Sequence, residues 1–151
     1  MSDQIIVATF SNSDDAYDAA GAMKRLKNEG AVDFKVKAGV MIKKDDRGNL
    51  SLLESKERPL WGTAVGATAG ALIGLIAGAP GAALGAALGA TSGLTSDAVM
   101  EALDSDFVDS VTKEMRPGMT AIVVEADEKS TNPVDEIVSK GGGHVYRQDA
   151  D

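Results

Sequence analysis

Glycine recurs at every fourth position through the middle of the chain, in residues 61–96. The glycines form two sets on either side of Pro80: Gly62, Gly66, Gly70, Gly74 and Gly78, then Gly81, Gly85, Gly89 and Gly93. No charged residue lies between Arg58 and Asp97. A period of four excludes collagen, which needs glycine at every third residue. The pattern predicts two helices joined at residues 79–81, each with its glycines along one side.

This glycine ridge destabilises a helix unless close packing compensates for it. Each glycine inside a helix costs roughly 1 kcal/mol relative to alanine, so the nine together would cost roughly 9 kcal/mol. Small residues spaced by four let a second backbone approach closely, at a crossing angle of about −40° to −50°. A flexible linker would carry serine and charge instead of alanine, leucine and isoleucine. We therefore predict a helical hairpin over residues 61–96 whose nine glycines are its oligomerisation surface.

Such a hairpin can be buried in two environments, a lipid bilayer or an oligomer in water, and the sequence does not decide between them. The first helix, residues 61–79, would be about 28 Å long and would nearly span a bilayer core of about 30 Å. The second helix, residues 81–96, has only three large apolar residues, all leucines, so its insertion would be marginal. In water, hairpins from several subunits would bury one another's small faces instead. Trp61 fits either environment, as an anchor at a lipid interface or as a cap on the hairpin's core.

Charge separates the hairpin from the rest of the chain. The protein has 151 residues and a formal net charge of −8, all of it outside the hairpin. Such an acidic chain lacks the footprint of nucleic-acid binding and is repelled by anionic lipid surfaces. We therefore expect no nucleic-acid partner, and any affinity for lipid must come from residues 61–96. Cysteine is absent, which excludes thiol chemistry and fits a reducing cytoplasm; the acidic residues 1–4 indicate no signal peptide.

The residues outside the hairpin predict an α+β domain. Strands are expected at 4–10, 33–43, 50–54, 119–126 and 144–148, and helices from a cap in 11–15 to about 28, over 97–115, and over 131–140. The first six elements match a ferredoxin-like, split βαβ arrangement, in which the first and fourth strands are central. The last helix and strand form a C-terminal αβ extension. We predict one domain, residues 1–151, with the hairpin inserted in it.

The second strand alternates between apolar and polar residues. This alternation predicts a half-exposed strand. One face would carry Phe34, Val36, Ala38, Val40 and Ile42, and the other Lys35, Lys37 and Lys43. We interpret these lysines, together with Lys44, as a solvated face.

No residue pattern indicates catalysis, a cofactor or a metal site. The chain has one histidine, His144, at the start of a predicted edge strand, and no second histidine or cysteine joins it as a metal ligand. The adjacent carboxylates at 14–15 and 45–46 fit a helix cap and a turn, since neighbouring residues do not face each other on a helix. The glycines match neither a phosphate-binding loop nor a dinucleotide fingerprint. We therefore expect a protein that is not an enzyme.

The chain resembles a bacterial family of unknown function. The resemblance lies in the tandem Ala-Ala-Leu-Gly at 82–85 and 86–89, in Trp61-Gly62 and in the flanking βαββ and αβ elements. Members of that family are commonly labelled predicted membrane proteins or stress-associated glycine-zipper proteins. The resemblance implies a membrane label and a stress context, and it implies no activity or catalytic residue.

Three hypotheses of different classes follow. The first is a non-enzymatic bacterial protein that self-assembles through its glycine-ridged hairpins, with acidic α+β domains outside that core. The second is a membrane-inserted hairpin that tethers the α+β domain to the bilayer. The third is a small-ligand sensor that uses an open face of the sheet. We expect a cytoplasmic location, with membrane association as the alternative.

Overall fold

The computed structural model describes residues 4–28, 34–47, 50–52, 72 and 104–149. These residues form β1 Gln4–Phe10, α1 Ser13–Asn28, β2 Phe34–Lys44, β3 Leu50–Leu52, α2 Ser105–Glu114, β4 Thr120–Glu128, α3 Asn132–Lys140 and β5 His144–Asp149. The predicted α+β class and the predicted order of elements outside the hairpin are confirmed. The hairpin over 61–96 lies outside the described residues, with the exception of Leu72.

The described strands form one antiparallel sheet in the order β3-β2-β4-β1-β5. Because β1 and β2 are both antiparallel to β4, they run parallel to each other on either side of it. In the same way, β4 and β5 run parallel on either side of β1. The expectation that β1 and β4 are central is confirmed, since each pairs with a strand on both sides.

The strand β3 pairs with β2, and β4 lies between β1 and β2. The strand β3 has only three residues and forms the edge beside β2. A central strand must be apolar on both faces, and β4 meets this condition with five consecutive buried residues, Thr120–Val124. The last strand, β5, pairs with β1 along Gln4–Thr9 and is therefore part of the main sheet rather than an extension.

Both faces of the sheet are covered by apolar side chains from helices. One face packs against α1 and α3 in a cluster that includes Ile6, Phe10 and Val124. The other face packs against α2 and Leu72 in a cluster that includes Ile5, Val7 and Val123. Successive residues of β1 and β4 enter opposite clusters, as the period of two in a strand requires. The described strands therefore have apolar residues buried on both faces of the sheet.

The strand β2 departs from its predicted alternation. A bulge shifts its register against β4 between Val36 and Ala38. As a result Val36 packs with the α1 and α3 cluster, while Val40 and Ile42 belong to the opposite one. Since Met41 is also buried, the prediction of a half-exposed strand is wrong here. A bulge adds one residue to one strand and so exchanges the faces of the residues that follow it.

The two carboxylate pairs have the structural roles that the sequence predicts. The side chain of Asn12 accepts a hydrogen bond from the backbone N–H of Asp15 at 2.8 Å and donates one to the Asp15 carboxylate at 2.8 Å. This reciprocal contact caps α1. In the turn after β2, the Asp45 carboxylate accepts a bond from the backbone N–H of Arg47 at 2.9 Å.

Candidate functional site

Leu72 is the described residue of the segment that carries the predicted glycine ridge. All nine glycines of that ridge lie outside the described residues. Leu72 is helical and has 0% of its surface exposed. It belongs to the cluster formed by α2 and one face of the sheet. The glycine-rich segment therefore contributes at least this side chain to the core of the α+β domain.

The helix α2 lies along the edge strand β5 on the same face as Leu72. Its N-terminus is capped by the Asp104 carboxylate, which accepts a bond from the backbone N–H of Asp106 at 2.9 Å. The backbone N–H of Asp104 donates to the side-chain oxygen of Gln148 on β5 at 2.7 Å. Phe107 and Val111 are buried against the sheet. The hydrogen bond at the N-terminal cap and the apolar contacts of Phe107 and Val111 together hold α2 against the sheet beside β5.

Polar groups lie beside the C-terminal end of α2. The hydroxyl of Tyr146 is hydrogen-bonded to Glu114, and burial, the Glu114 charge and that bond together raise the pKa of Tyr146 above its usual value. His144 is exposed at the start of β5, as the sequence predicts. It pairs across the sheet with Thr9, whose hydroxyl is fully buried and has no hydrogen-bond partner among the described residues. These residues do not form a hydrogen-bonded pair of a nucleophile and a general base.

Sequence reasoning missed a charged cluster on the opposite face. The guanidinium of Arg147 makes two bonds to the Glu128 carboxylate, at 2.8 and 3.0 Å, and one ion pair with Asp135 at 2.8 Å. It also donates to the carbonyl of Thr131 at 3.3 Å. The Glu128 side chain is only 1% exposed, whereas those of Arg147 and Asp135 are 19% and 46% exposed, so the cluster ties β4, α3 and β5 together from a buried carboxylate out to the surface. The sequence signal for this cluster was the alternation of side chains along β5, which places Arg147 on the same face of the strand as the apolar Val145.

The ionisation of Arg147 follows from this environment. Burial alone would lower the pKa of Arg147, but the hydrogen bonds and charges of Glu128 and Asp135 outweigh it and raise the pKa above its usual value. The guanidinium therefore stays charged and paired. The bidentate pair fixes the orientation of the Arg147 guanidinium relative to Glu128 on β4.

The part of the chain that the structure describes offers no group of three or more acidic or histidine residues able to hold a metal ion. Within the same ranges, no helix is both long and apolar enough to cross a bilayer. An open depression on the outer side of α3, lined by Asn132, Asp135, Glu136, Ser139 and Lys140, holds only surface polar groups. It has no buried polar group directed into it.

The fold and site define an α+β protein whose sheet is covered on both faces and to which a glycine-rich segment contributes a core residue. Residues 63–150, more than half of the chain, match the family described as protein of unknown function (DUF1269). The chain belongs to that family, which agrees with the resemblance to a family of unknown function. The matched region contains all of the ridge glycines except Gly62, and also α2, β4, α3 and β5. Neither a curated protein nor a solved structure matches the chain.

Proposed function

We propose that this protein is non-enzymatic and self-assembles through a glycine-ridged helical hairpin at residues 61–96. The supporting observation is the position of Leu72, which is helical, fully buried and part of a cluster with the sheet. An α-helix turns by about 100° per residue. Gly70 and Gly74 are both two residues from Leu72, so they lie about 160° from it around the helix. When Leu72 faces the sheet, these glycines face away from the domain.

This orientation leaves the ridge available to another helix. Glycines on the outer side of a docked helix would expose backbone to water, unless a second helix packs against them. The second half of the hairpin supplies one such partner, and hairpins of other copies supply more. Residues with no side chain permit the close backbone contact that compensates for their low helix propensity. Self-assembly therefore accounts for both the spacing and the outward direction of the glycines.

The burial of Leu72 favours this proposal over the membrane-inserted hairpin. Inserting the first helix into lipid would withdraw Leu72 from the domain core. The cluster of Val40, Ile42 and their neighbours would then contain a cavity, and losing a buried leucine side chain costs about 2–5 kcal/mol. Lipid offers leucine no better packing than a protein core does. The membrane label that the resemblance implies is thus the weaker alternative.

The same proposal includes a ferredoxin-like sheet. Its two βαβ units would be β1-α1-β2, with β4 between the parallel strands, and β4-α3-β5, with β1 between them. The observed strand order and directions support this assignment. The strand β3, the hairpin and α2 then form one insertion between β2 and β4. An experimental structure with a left-handed crossover in either unit would contradict it.

The test compares leucine and alanine at two glycines of the ridge. The double variant Gly70→Leu with Gly85→Leu would separate the backbones by overpacking, whereas Gly70→Ala with Gly85→Ala adds only methyl groups. We expect the wild-type oligomer to dissociate in the leucine variant and to persist largely in the alanine variant. Light scattering coupled to size-exclusion chromatography measures the particle mass, and far-UV circular dichroism shows whether the domain stays folded.

Three outcomes would contradict the proposal. A leucine variant that stays folded with the wild-type particle mass would show that the glycines are not the contact surface. A wild-type protein that sediments with the membrane fraction and enters solution only with detergent would favour the inserted hairpin. A monomer in water, without detergent, would also exclude self-assembly.

A further inference from the structure

The sheet face against which α2 packs is also buried on strands that lie far from α2. Val40 and Ile42 on β2, and Ala121 and Val123 on β4, are between 0% and 7% exposed. The helix α2 packs against β5, at the opposite edge of the sheet from β2. Among the described residues outside the sheet and α2, the cluster on this face includes Leu72 together with Met115 and Met119 of the connection between α2 and β4.

Strand spacing shows that α2 alone cannot cover this area. Neighbouring strands lie about 4.8 Å apart, so β2 is about 14 Å from β5. A helix with its side chains is about 10–12 Å across and reaches about 5–6 Å from its axis. A helix above β5 therefore covers β5 and β1, and it leaves β2 and much of β4 to another element. Met115 and Met119 cover part of this area from the short connection between α2 and β4, and Leu72 is the described residue that reaches it from a separate segment of the chain.

We propose that residues 61–79, the first half of the glycine-rich segment, dock as a helix on the β2 and β4 half of this face, with Leu72 as the anchor. The sequence supports this contact on both sides of Leu72. Trp61 and Val65 precede it by eleven and seven residues, which in a helix places both within about 20° of its direction. Large apolar residues thus recur on the side of the helix that faces the sheet. This docking goes beyond self-assembly and does not depend on what the glycines contact.

Two adjacent residues of β2 provide a matched test in the full-length protein. Ile42 faces the cluster that contains Leu72, and Met41 faces α1 on the other side of the sheet. Both are fully buried, at 0% and 1% exposure, so Ile42→Ala and Met41→Ala both remove a large core side chain. Only Ile42→Ala removes part of the proposed docking surface.

Hydrogen–deuterium exchange of peptides that span Leu72 measures the release of the segment. We expect Ile42→Ala to raise this exchange rate by roughly tenfold or more relative to Met41→Ala, after each rate is corrected for the measured global stability. Trp61, the only tryptophan, gives a second readout, since its fluorescence should become more accessible to acrylamide in Ile42→Ala alone. Exchange in the two variants is compared at one protein concentration, so that self-assembly contributes equally to both rates.

Three results would overturn the docking. Equal exchange in the two variants would show that residues 61–79 do not depend on the β2 and β4 surface. An Ile42→Ala effect that disappears in the background of Gly70→Leu with Gly85→Leu, in which self-assembly is expected to be lost, would assign the surface to a segment of a second copy. Protection that appears only with phosphatidylcholine vesicles would assign it to lipid. Because the readout is exchange near Leu72 and not particle mass, a failure of self-assembly leaves this test interpretable.

Discussion

Replacing Gly143 with alanine tests how tightly β5 is fitted against β1. Gly143 lies between α3 and β5, next to the pair formed by His144 and Thr9. A Cβ atom at Gly143 would lie 2.5 Å from the carbonyl oxygen of Thr9 and 2.8 Å from Cε1 of Phe10. The first neighbour is backbone of a central strand, and the second is a ring with 0% exposure. Neither can move without disturbing the sheet or the core.

The size of the effect follows from these distances. Ordinary contacts of a Cβ atom lie at 3.4–4 Å, so the backbone around Gly143 would have to shift by about 1 Å. Adding a methyl group to a well-packed region costs about 1–3 kcal/mol. Because the new methyl would meet backbone on one side and a buried ring on the other, we expect about 3 kcal/mol. This is a large fraction of a domain stability of about 5–15 kcal/mol.

Two other glycines give matched controls with the same chemical change. Gly142 has φ of 72° and no atom within 4 Å of its Cβ position, so Gly142→Ala has only the backbone cost of about 1–2 kcal/mol. Gly21 is inside α1, and the nearest atom to its Cβ position is Nη1 of Arg25 at 3.7 Å. Gly21→Ala should therefore stabilise the protein by up to roughly 1 kcal/mol.

Urea denaturation followed by far-UV circular dichroism measures all three changes. The expected order of midpoints is Gly21→Ala above wild type, then Gly142→Ala, then Gly143→Ala. A Gly143→Ala midpoint at or above that of Gly142→Ala would refute the close approach of Gly143 to Thr9. A Gly21→Ala midpoint well below wild type would instead indicate an unrecognised contact at α1.

Two further predictions concern the charged groups around β5. Arg147→Met should lower the free energy of unfolding by about 3–5 kcal/mol, because it leaves the buried Glu128 carboxylate unpaired. Adding Glu128→Leu to this variant should recover much of the lost urea midpoint. An Arg147→Met variant as stable as wild type would contradict the role of the pair. Since the folded state raises the pKa of Tyr146, that residue stabilises the protein below the ordinary tyrosine pKa of about 10 and the contribution disappears as pH rises through the raised value. Glu114→Gln should bring the phenol titration at 295 nm part of the way back, and an unchanged titration would exclude the contact with Glu114.

The sequence predicted those elements whose signals are local. The apolar runs of β1 and β4 and the capping residues of α1 depend only on neighbours in the chain, and each was placed correctly. The faces of β2 could not be predicted, because the bulge at Val36 and Ala38 is fixed by pairing with β4. The place of β5 beside β1 was also missed, since strand order depends on contacts between residues far apart in sequence.

Neither Leu72 nor Arg147 could be recognised as important from its own sequence context. Leu72 is one of several leucines and isoleucines in its segment, and only the sheet shows which of them is buried in the core. Arg147 stands in a strand of mixed character, and its buried partner Glu128 is nineteen positions away. Both roles depend on tertiary packing, whereas the spacing of the glycines is visible in the sequence without it.

The absence of charge between Arg58 and Asp97 now has an explanation that does not need lipid. A helix that is apolar on all sides must be buried on all sides, in a bilayer or within protein. On the proposed docking, one side of the first helix meets the sheet through Leu72, and Gly70 and Gly74 lie about 160° away from it around the helix. If a second helix covers those glycines, no side of the helix remains for water, and charge is excluded throughout. Insertion of the same segment in lipid would not explain why Leu72 is buried in the core of the α+β domain.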